Sequence, residues 1–128
     1  MRLLLDSHVF IWMDISPTKL SAKAQAAITD PQNEIFLSYA SLWEMQIKIQ
    51  LGKLSLNSSL PKAIQNQRKT NDLELLPIRI RHIFALQNLP HHHGDPFDRL
   101  MIAQCNVEQL TFITDDTKIQ QYSINYLW

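Results

Sequence analysis

The chain of 128 residues, 45% hydrophobic and 19% charged, has the size and make-up of one globular domain and is too apolar to stay disordered. Twelve basic residues balance twelve acidic ones, so no overall charge draws it to nucleic acid, and any such contact has to come from a local basic patch. Its only glycines, Gly52 and Gly94, leave no glycine-rich loop to cradle a nucleotide phosphate, which argues against P-loop and dinucleotide-binding chemistry.

Residues 2–5, RLLL, read as a buried central strand of a parallel sheet, closed by Asp6. The N-terminal stretch MRLLLDSHVFIW is interrupted too soon by Asp6 and His8 to serve as a signal peptide. Residues 16–30 open with Ser16 before Pro17 and run through alanines to Asp30-Pro31, which predicts a helix. EIFLS at 34–38 is a second strand. In the helix that follows, Trp43, Ile47 and Leu51 recur every four residues and Gly52 supplies the stop. A helix is expected over 59–71, a strand over 73–78, and a helix over 79–89 closed by Pro90. After the loop PHHHGD, Pro96 takes the first position of a helix over 96–109, with Phe97, Met101 and Cys105 along one face. Cys105, the lone cysteine, is expected there as a packed thiol in a reducing cytoplasm. TFIT at 111–114 is a fourth strand, residues 115–122 a short helix or turn, and INYLW at 124–128 a last strand. Strands alternating with helices imply an α/β fold, a mostly parallel sheet with helices on both faces. No apolar run approaches the roughly 20 residues needed to span a bilayer, so no membrane association is expected.

Acids recur at one kind of junction, where a strand ends or the next helix begins: Asp6 after RLLL, Glu44 in SLWE, Asp95 and Asp98 in DPFD, Asp115 and Asp116 in TFITDD. Singly, each suits a helix cap; Ser41 with Glu44 forms the S-x-x-E capping box, and Asp95 with Asp98 makes its equivalent around Pro96. Asp6 is harder to explain that way, because it follows an apolar strand directly and is desolvated there. Capping does not require every unit to put its acid on the same sheet edge, and the carboxyl edge of a parallel sheet is where ligands bind. Converged carboxylates repel one another unless a cation neutralises them, and oxygen-only ligands select a hard ion, Mg²⁺ or Mn²⁺. One such ion, or a pair, fits phosphodiester hydrolysis by an activated water.

Nearly end to end, the chain resembles the PIN-domain nucleases of the VapC-type toxin group. LLLDSHVFIW resembles that family's opening strand and acid, SLWEMQIKIQLGKL its second acidic helix, LPHHHGDPFDRLMIAQ its third, and FITDD its fourth. The resemblance implies a three-layer α/β/α fold with a five-stranded sheet of order 3-2-1-4-5. It assigns Asp6, Glu44, Asp98 and Asp116 to metal binding and catalysis. Asp98 is favoured over Asp95 because the family's acid directly precedes the run matched here by RLMIA, and Asp116 over Asp115 because the family pattern is Thr, any residue, Asp. Asp95 and Asp115 stay as outer or capping candidates. The implied activity is Mg²⁺- or Mn²⁺-dependent endoribonuclease, with RNA as substrate and a cognate VapB-type antitoxin as partner. Where many relatives carry an arginine before DPFD, this chain has Gly94.

Ser7, Ser41 and Thr114 lie beside the acids and are candidates to orient carboxylates or metal-bound water, with plain capping as the competing explanation. His8, Lys48 and Arg99 are the candidate RNA contacts; Lys48 also stands four residues after Glu44, the spacing of an ordinary helix ion pair. His91, His92 and His93 are adjacent in one loop, a poor source of tetrahedral zinc geometry, so a solvated loop is expected for them. Apolar and aromatic helices exceed what one small core needs, which is the basis for expecting a homodimer. Competing readings are a PIN-fold RNA-processing nuclease without an antitoxin, a receiver-like phosphoacceptor module, and a silent binding partner with the same fold.

Overall fold

The computed structural model describes residues 1–128. Five strands, β1 (Arg2–Leu5), β2 (Glu34–Ser38), β3 (Glu74–Leu76), β4 (Thr111–Ile113) and β5 (Tyr126–Leu127), form one sheet in the order β3-β2-β1-β4-β5. Every pairing is parallel. The implied order 3-2-1-4-5 is therefore met. β1 is central, bonded to β2 on one side and β4 on the other, which is why its Leu3-Leu4-Leu5 run is uninterrupted. Side chains alternate across a strand, so Leu3 and Leu5 enter one core and Leu4 the other.

The helices are α1 (Ser7–Ile15), α2 (Ala22–Thr29), α3 (Tyr39–Gln50), α4 (Leu60–Asn71), α5 (Ile80–Ala85), α6 (Pro96–Glu108) and α7 (Thr117–Gln120). One face of the sheet is covered by Val9, Phe10 and Ile11 of α1, Ala24, Ala27 and Ile28 of α2, and Leu60 and Ala63 of α4. The opposite face takes Met101, Ile102 and Cys105 of α6 with Ile119 of α7 and Tyr122. α3 reaches both, placing Met45 in the first core and Ala40 in the second. No helix is long and apolar enough to cross a membrane.

Three departures from the sequence expectation have local causes. Residues 7–15, assigned no element above, form α1; three consecutive buried residues, Val9, Phe10 and Ile11, give it no one-sided stripe for a periodicity argument to find. The helix expected over 16–30 is split. Ser16 makes no side-chain cap and Pro17–Lys19 is a single 3₁₀ turn, whereas Ser21 Oγ accepts from the Ala24 N–H at 3.0 Å and starts α2. The helix expected over 79–89 is α-helical only to Ala85, and Leu86–Asn88 tightens into a 3₁₀ turn. The stop at Gly52 is as expected: its φ of 71° is left-handed, and the Lys53 N–H reaches back to the Lys48 carbonyl at 2.8 Å.

A buried polar chain on the α6 side secures α5 to the end of α6. His82, fully buried, accepts at Nδ1 from the Arg79 N–H at 2.9 Å, so Nε2 carries the proton and donates to Glu108 Oε1 at 2.8 Å. Arg81 Nη2 donates to the same oxygen at 2.6 Å. The His82 bond, then the Arg81 contacts, hold the Glu108 carboxyl below its ordinary range. A depressed carboxylate pKa contributes stability that is present above the unfolded value and lost as pH falls through the folded one. Glu108→Ala should therefore cost about 1–3 kcal/mol at neutral pH, the penalty for leaving the His82 N–H unpaired. In urea denaturation, the gap from wild type should narrow below about pH 4.

Candidate functional site

The carboxyl edge of β1 and β4 is where the acids gather. β1 and β4 are in register at Leu5 and Ile113, so the residues that follow them, Asp6 and Thr114, lie side by side. The Asp6 N–H extends the ladder to the Ile113 carbonyl at 3.0 Å. The Thr114 hydroxyl donates to Asp6 Oδ2 at 2.6 Å, while Asp6 Oδ1 caps α1 by accepting from the His8 N–H at 3.3 Å. Asp6 is only 2% exposed. A carboxylate removed from water to this degree is tolerated because both its oxygens are hydrogen-bonded.

Glu44 enters from α3, one turn after Ser41, and is 7% exposed. Ser7 Oγ donates to Glu44 Oε1 at 2.8 Å and stands 2.9 Å from Ser41 Oγ. Ser41 Oγ is in turn 3.1 Å from Met101 Sδ, linking α3 to α6. Lys48 Nζ lies 3.4 Å from Glu44 Oε2, the i,i+4 pair anticipated from the spacing, and stays partly exposed at the rim.

The two ambiguous acid pairs separate by what their carboxylates do. Asp95 caps α6, accepting at Oδ1 from Phe97 N–H at 2.8 Å and Asp98 N–H at 3.1 Å. Asp98, in the first turn of that helix, faces the other acids. Burial pushes its carboxyl up to about 7, and the charges of Asp6, Asp95 and Glu44 push it the same way, against the opposing pull of a hydrogen bond to His93. Asp116 caps α7, accepting from the Lys118 N–H at 2.8 Å through Oδ1 and turning Oδ2 toward the site; Asp115 is exposed. The Thr114 hydroxyl also accepts from the Asp116 N–H at 3.1 Å, so one threonine fixes both acids.

His93 is not where the sequence put it, and two neighbours, Arg99 and Tyr122, build the loop that carries it. His91 and His92 are exposed as expected, but His93 leaves the tract and enters the acid site, its Nε2 2.8 Å from Asp98 Oδ2 and 3.6 Å from Asp116 Oδ2. The expectation of a solvated loop is thus corrected for His93; the loop must pass the N-terminus of α6 to reach its cap, and that path carries His93 past Asp98. Arg99 does not face the site, because Nη1 donates to the Pro90 carbonyl at 2.8 Å and to the Tyr122 hydroxyl at 3.0 Å. Tyr122, absent from the sequence-based list, holds the histidine loop from below. His8 remains 60% exposed, its ring 3.8 Å from Asp6 Oδ1 and raised above its usual pKa mainly by that carboxylate.

Ligand atoms of His93, Asp98 and Asp116 lie within 4.8 Å of one another. Asp6 and Glu44 are more deeply buried, and the charge of each acts on Asp98. Carboxylates crowded in this way with a single adjacent lysine lack a compensating charge. The oxygen-rich donor set fits a hard divalent cation.

A parallel α/β/α sandwich with buried acids at the carboxyl edge of its two central strands defines the class. The sequence model of the PIN domain matches residues 3–125, and the chain belongs to that family. None of the curated proteins compared with this sequence matches it. Among solved structures, VapBC2 from Rickettsia felis bound to a promoter DNA fragment contains a chain similar at TM-score 0.69 and 15% identity, over 99% of this chain and 98% of that one. FitAcB from Neisseria gonorrhoeae is similar at TM-score 0.62 and 15% identity, over 98% and 96%. VapBC-5 from Mycobacterium tuberculosis, a toxin-antitoxin system, is similar at 0.58 and 16%, over 98% and 95%. At these identities the likeness establishes the fold.

A carboxyl whose folded pKa is raised contributes stability that is full below the unfolded value and lost as pH rises through the folded one, here about 7. Metal-free wild type should therefore melt at lower temperature at pH 8 than at pH 5.5. Asp98→Asn should flatten that dependence and melt a few degrees (~2–5 °C) above wild type at pH 8 in chelator, as scanning calorimetry would show.

Proposed function

We propose that this chain is a divalent-metal-dependent endoribonuclease and the toxin of a toxin-antitoxin pair. The observation that carries the reading is the set of carboxylates from β1, α3, α6 and the end of β4 crowded on one sheet edge, within a chain of the PIN-domain family. On this reading Asp6, Glu44, Asp98 and Asp116 hold Mg²⁺ or Mn²⁺. Such an ion supplies a nucleophilic water at neutral pH and offsets charge on the phosphodiester oxygens.

The protein's own part is to position and to neutralise. Thr114 holds Asp6 and the backbone before Asp116, and Ser7 holds Glu44, so the acids meet the ion already oriented. Lys48 stands at the partly exposed rim, where a phosphate backbone arriving at the acids would meet its positive charge, and the exposed His8 beside Asp6 can offer a further hydrogen-bond donor. At Gly94 an added Cβ would touch nothing, so the position is open to a side chain, and glycine there brings no charge to an RNA backbone.

The antitoxin part of the reading is supported by the VapBC structures, one of them named as a toxin-antitoxin system, in which a chain matches this one over nearly its full length. A receptor for an apolar antitoxin segment lies next to the acids. A groove of roughly 700 Å³ is lined by Tyr39, Leu42, Trp43, Leu60, Ile64 and Ile78, with Trp43 60% exposed and its ring edge-on to Phe97 of the DPFD segment. The exposed apolar side chains of Ile80, Ile83 and Phe84 on α5 suit a homodimer contact.

Purified protein should cleave RNA in Mg²⁺ or Mn²⁺ and stop in chelator. Asp98→Asn should lower the rate at least about 100-fold and abolish growth arrest on induction. Wild-type cleavage by that variant, or cleavage indifferent to chelator, would sink the reading.

A further inference from the structure

His93 sits in a built position. The Tyr122 hydroxyl, on a residue 4% exposed, accepts from the backbone N–H of His92 at 3.2 Å and of His93 at 3.0 Å. Arg99 bridges that hydroxyl to the Pro90 carbonyl, and the His92 ring lies edge-on to Tyr122 with centroids 5.0 Å apart. Four ties to one aromatic and one guanidinium hold a short loop that a mere connection to α6 would leave free.

The imidazole is then fixed at both nitrogens. The Asp95 N–H points at Nδ1 at 3.5 Å, which makes Nδ1 the acceptor and leaves the proton on Nε2. Nε2 donates to Asp98 Oδ2 at 2.8 Å and lies 3.6 Å from Asp116 Oδ2. A metal bound at Nε2 would place the proton on Nδ1, donor against the donor N–H of Asp95. The ring is arranged to give a hydrogen bond to the acids and not a lone pair.

We infer that His93 is a positioning residue that occupies one oxygen of Asp98 and so sets which divalent cation the acid site accepts. This rests on the metal-binding reading above. With one lone pair of Oδ2 taken by the imidazole, Oδ1 is the freer oxygen of Asp98, and chelation of one ion through both oxygens is hindered. Mg²⁺ wants six ligands at about 2.0–2.1 Å and works with one or two carboxylates and several waters, whereas Ca²⁺ takes about six to eight oxygens and readily uses both oxygens of a carboxylate. A donor fixed on Oδ2 therefore disfavours the larger ion. Because the same N–H also faces Asp116, it lessens the repulsion between two carboxylates that come from different ends of the fold.

Calorimetric titration of Mg²⁺ and Ca²⁺ into wild type, His93→Ala and His93→Gln, with each variant's fold checked by circular dichroism, tests this. Wild type should prefer Mg²⁺, His93→Ala should lose about tenfold or more of that preference, and His93→Gln, whose amide can donate to Asp98 at similar reach, should restore it. His93→Asn, polar but too short to reach Asp98, should behave as the alanine variant and replaces it if the alanine variant does not fold. An unchanged preference in both short variants overturns the inference. So does a directly coordinated nitrogen in the pulsed electron paramagnetic resonance spectrum of the Mn²⁺-loaded wild type that His93→Gln loses, since that makes His93 a ligand. Wild type that binds neither Mg²⁺, Mn²⁺ nor Ca²⁺ overturns the metal reading itself, whereas binding with unaltered selectivity leaves that reading standing and removes only the role of His93.

Discussion

Everything at the carboxyl edge depends on one buried carboxylate. Asp6 stands where β1 ends and α1 begins, and both its oxygens are spoken for, one by the hydroxyl of Thr114 just after β4 and one by the first turn of α1. These bonds tie the two central strands and a helix to a single charged group, and the ladder bond from its N–H to Ile113 fixes their relative height. A charge so thoroughly desolvated is tolerable only in that arrangement. Once it is in place, any further acid on the same edge feels it.

The other acids add to a strain that the fold contains without removing. Asp98 shows it most clearly, with its carboxyl pushed up to about 7 by burial and by its neighbours' charges. Small hydroxyls answer part of this: Ser7 to Glu44, Thr114 to Asp6 and to the Asp116 backbone. They satisfy lone pairs and set directions but bring no positive charge. A site that stays crowded with like charge in the free protein is arranged for something that arrives, which is the usual trade between stability and function.

α6 bears the load from both ends. Its N-terminus presents Asp98 under the Asp95 cap, and its C-terminus is clasped by His82 and Arg81 through Glu108. Between them Gln104, fully buried, accepts from the Ser38 hydroxyl and reaches the Pro77 carbonyl, so the loop after β3 and the start of α3 are fixed to the same helix. Ser38 also caps α3 by accepting from the Ala40 N–H, and α3 is the helix that carries Glu44. The acids of α3 and α6 are thus set in relation to each other by a polar chain that lies entirely below the site.

The local chemistry of the chain by itself determined the parallel α/β sheet, the strand-end acids and the Gly52 stop. Each rests on neighbours in sequence: an uninterrupted leucine run for a strand covered on both faces, capping residues before helices, a left-handed glycine after one. The one long-range feature in reach, the strand order, came through a resemblance and was met. Elements escaped where local signals were contradictory, as in α1, buried on too many sides to show a stripe, or duplicated, as at Ser16 and Ser21, either of which can cap a helix. The choice of Asp98 over Asp95 also came through the resemblance, and the hydrogen bonds of Asp95 to the start of α6 give its physical reason; only the tertiary structure decided that Arg99 turns to Tyr122, and that His93 leaves an otherwise exposed tract to stand between Asp98 and Asp116. Those outcomes are distances between atoms far apart along the chain, set by how α6, α7 and the histidine loop pack on Tyr122, and no spacing of residue types along a sequence encodes a distance of that kind.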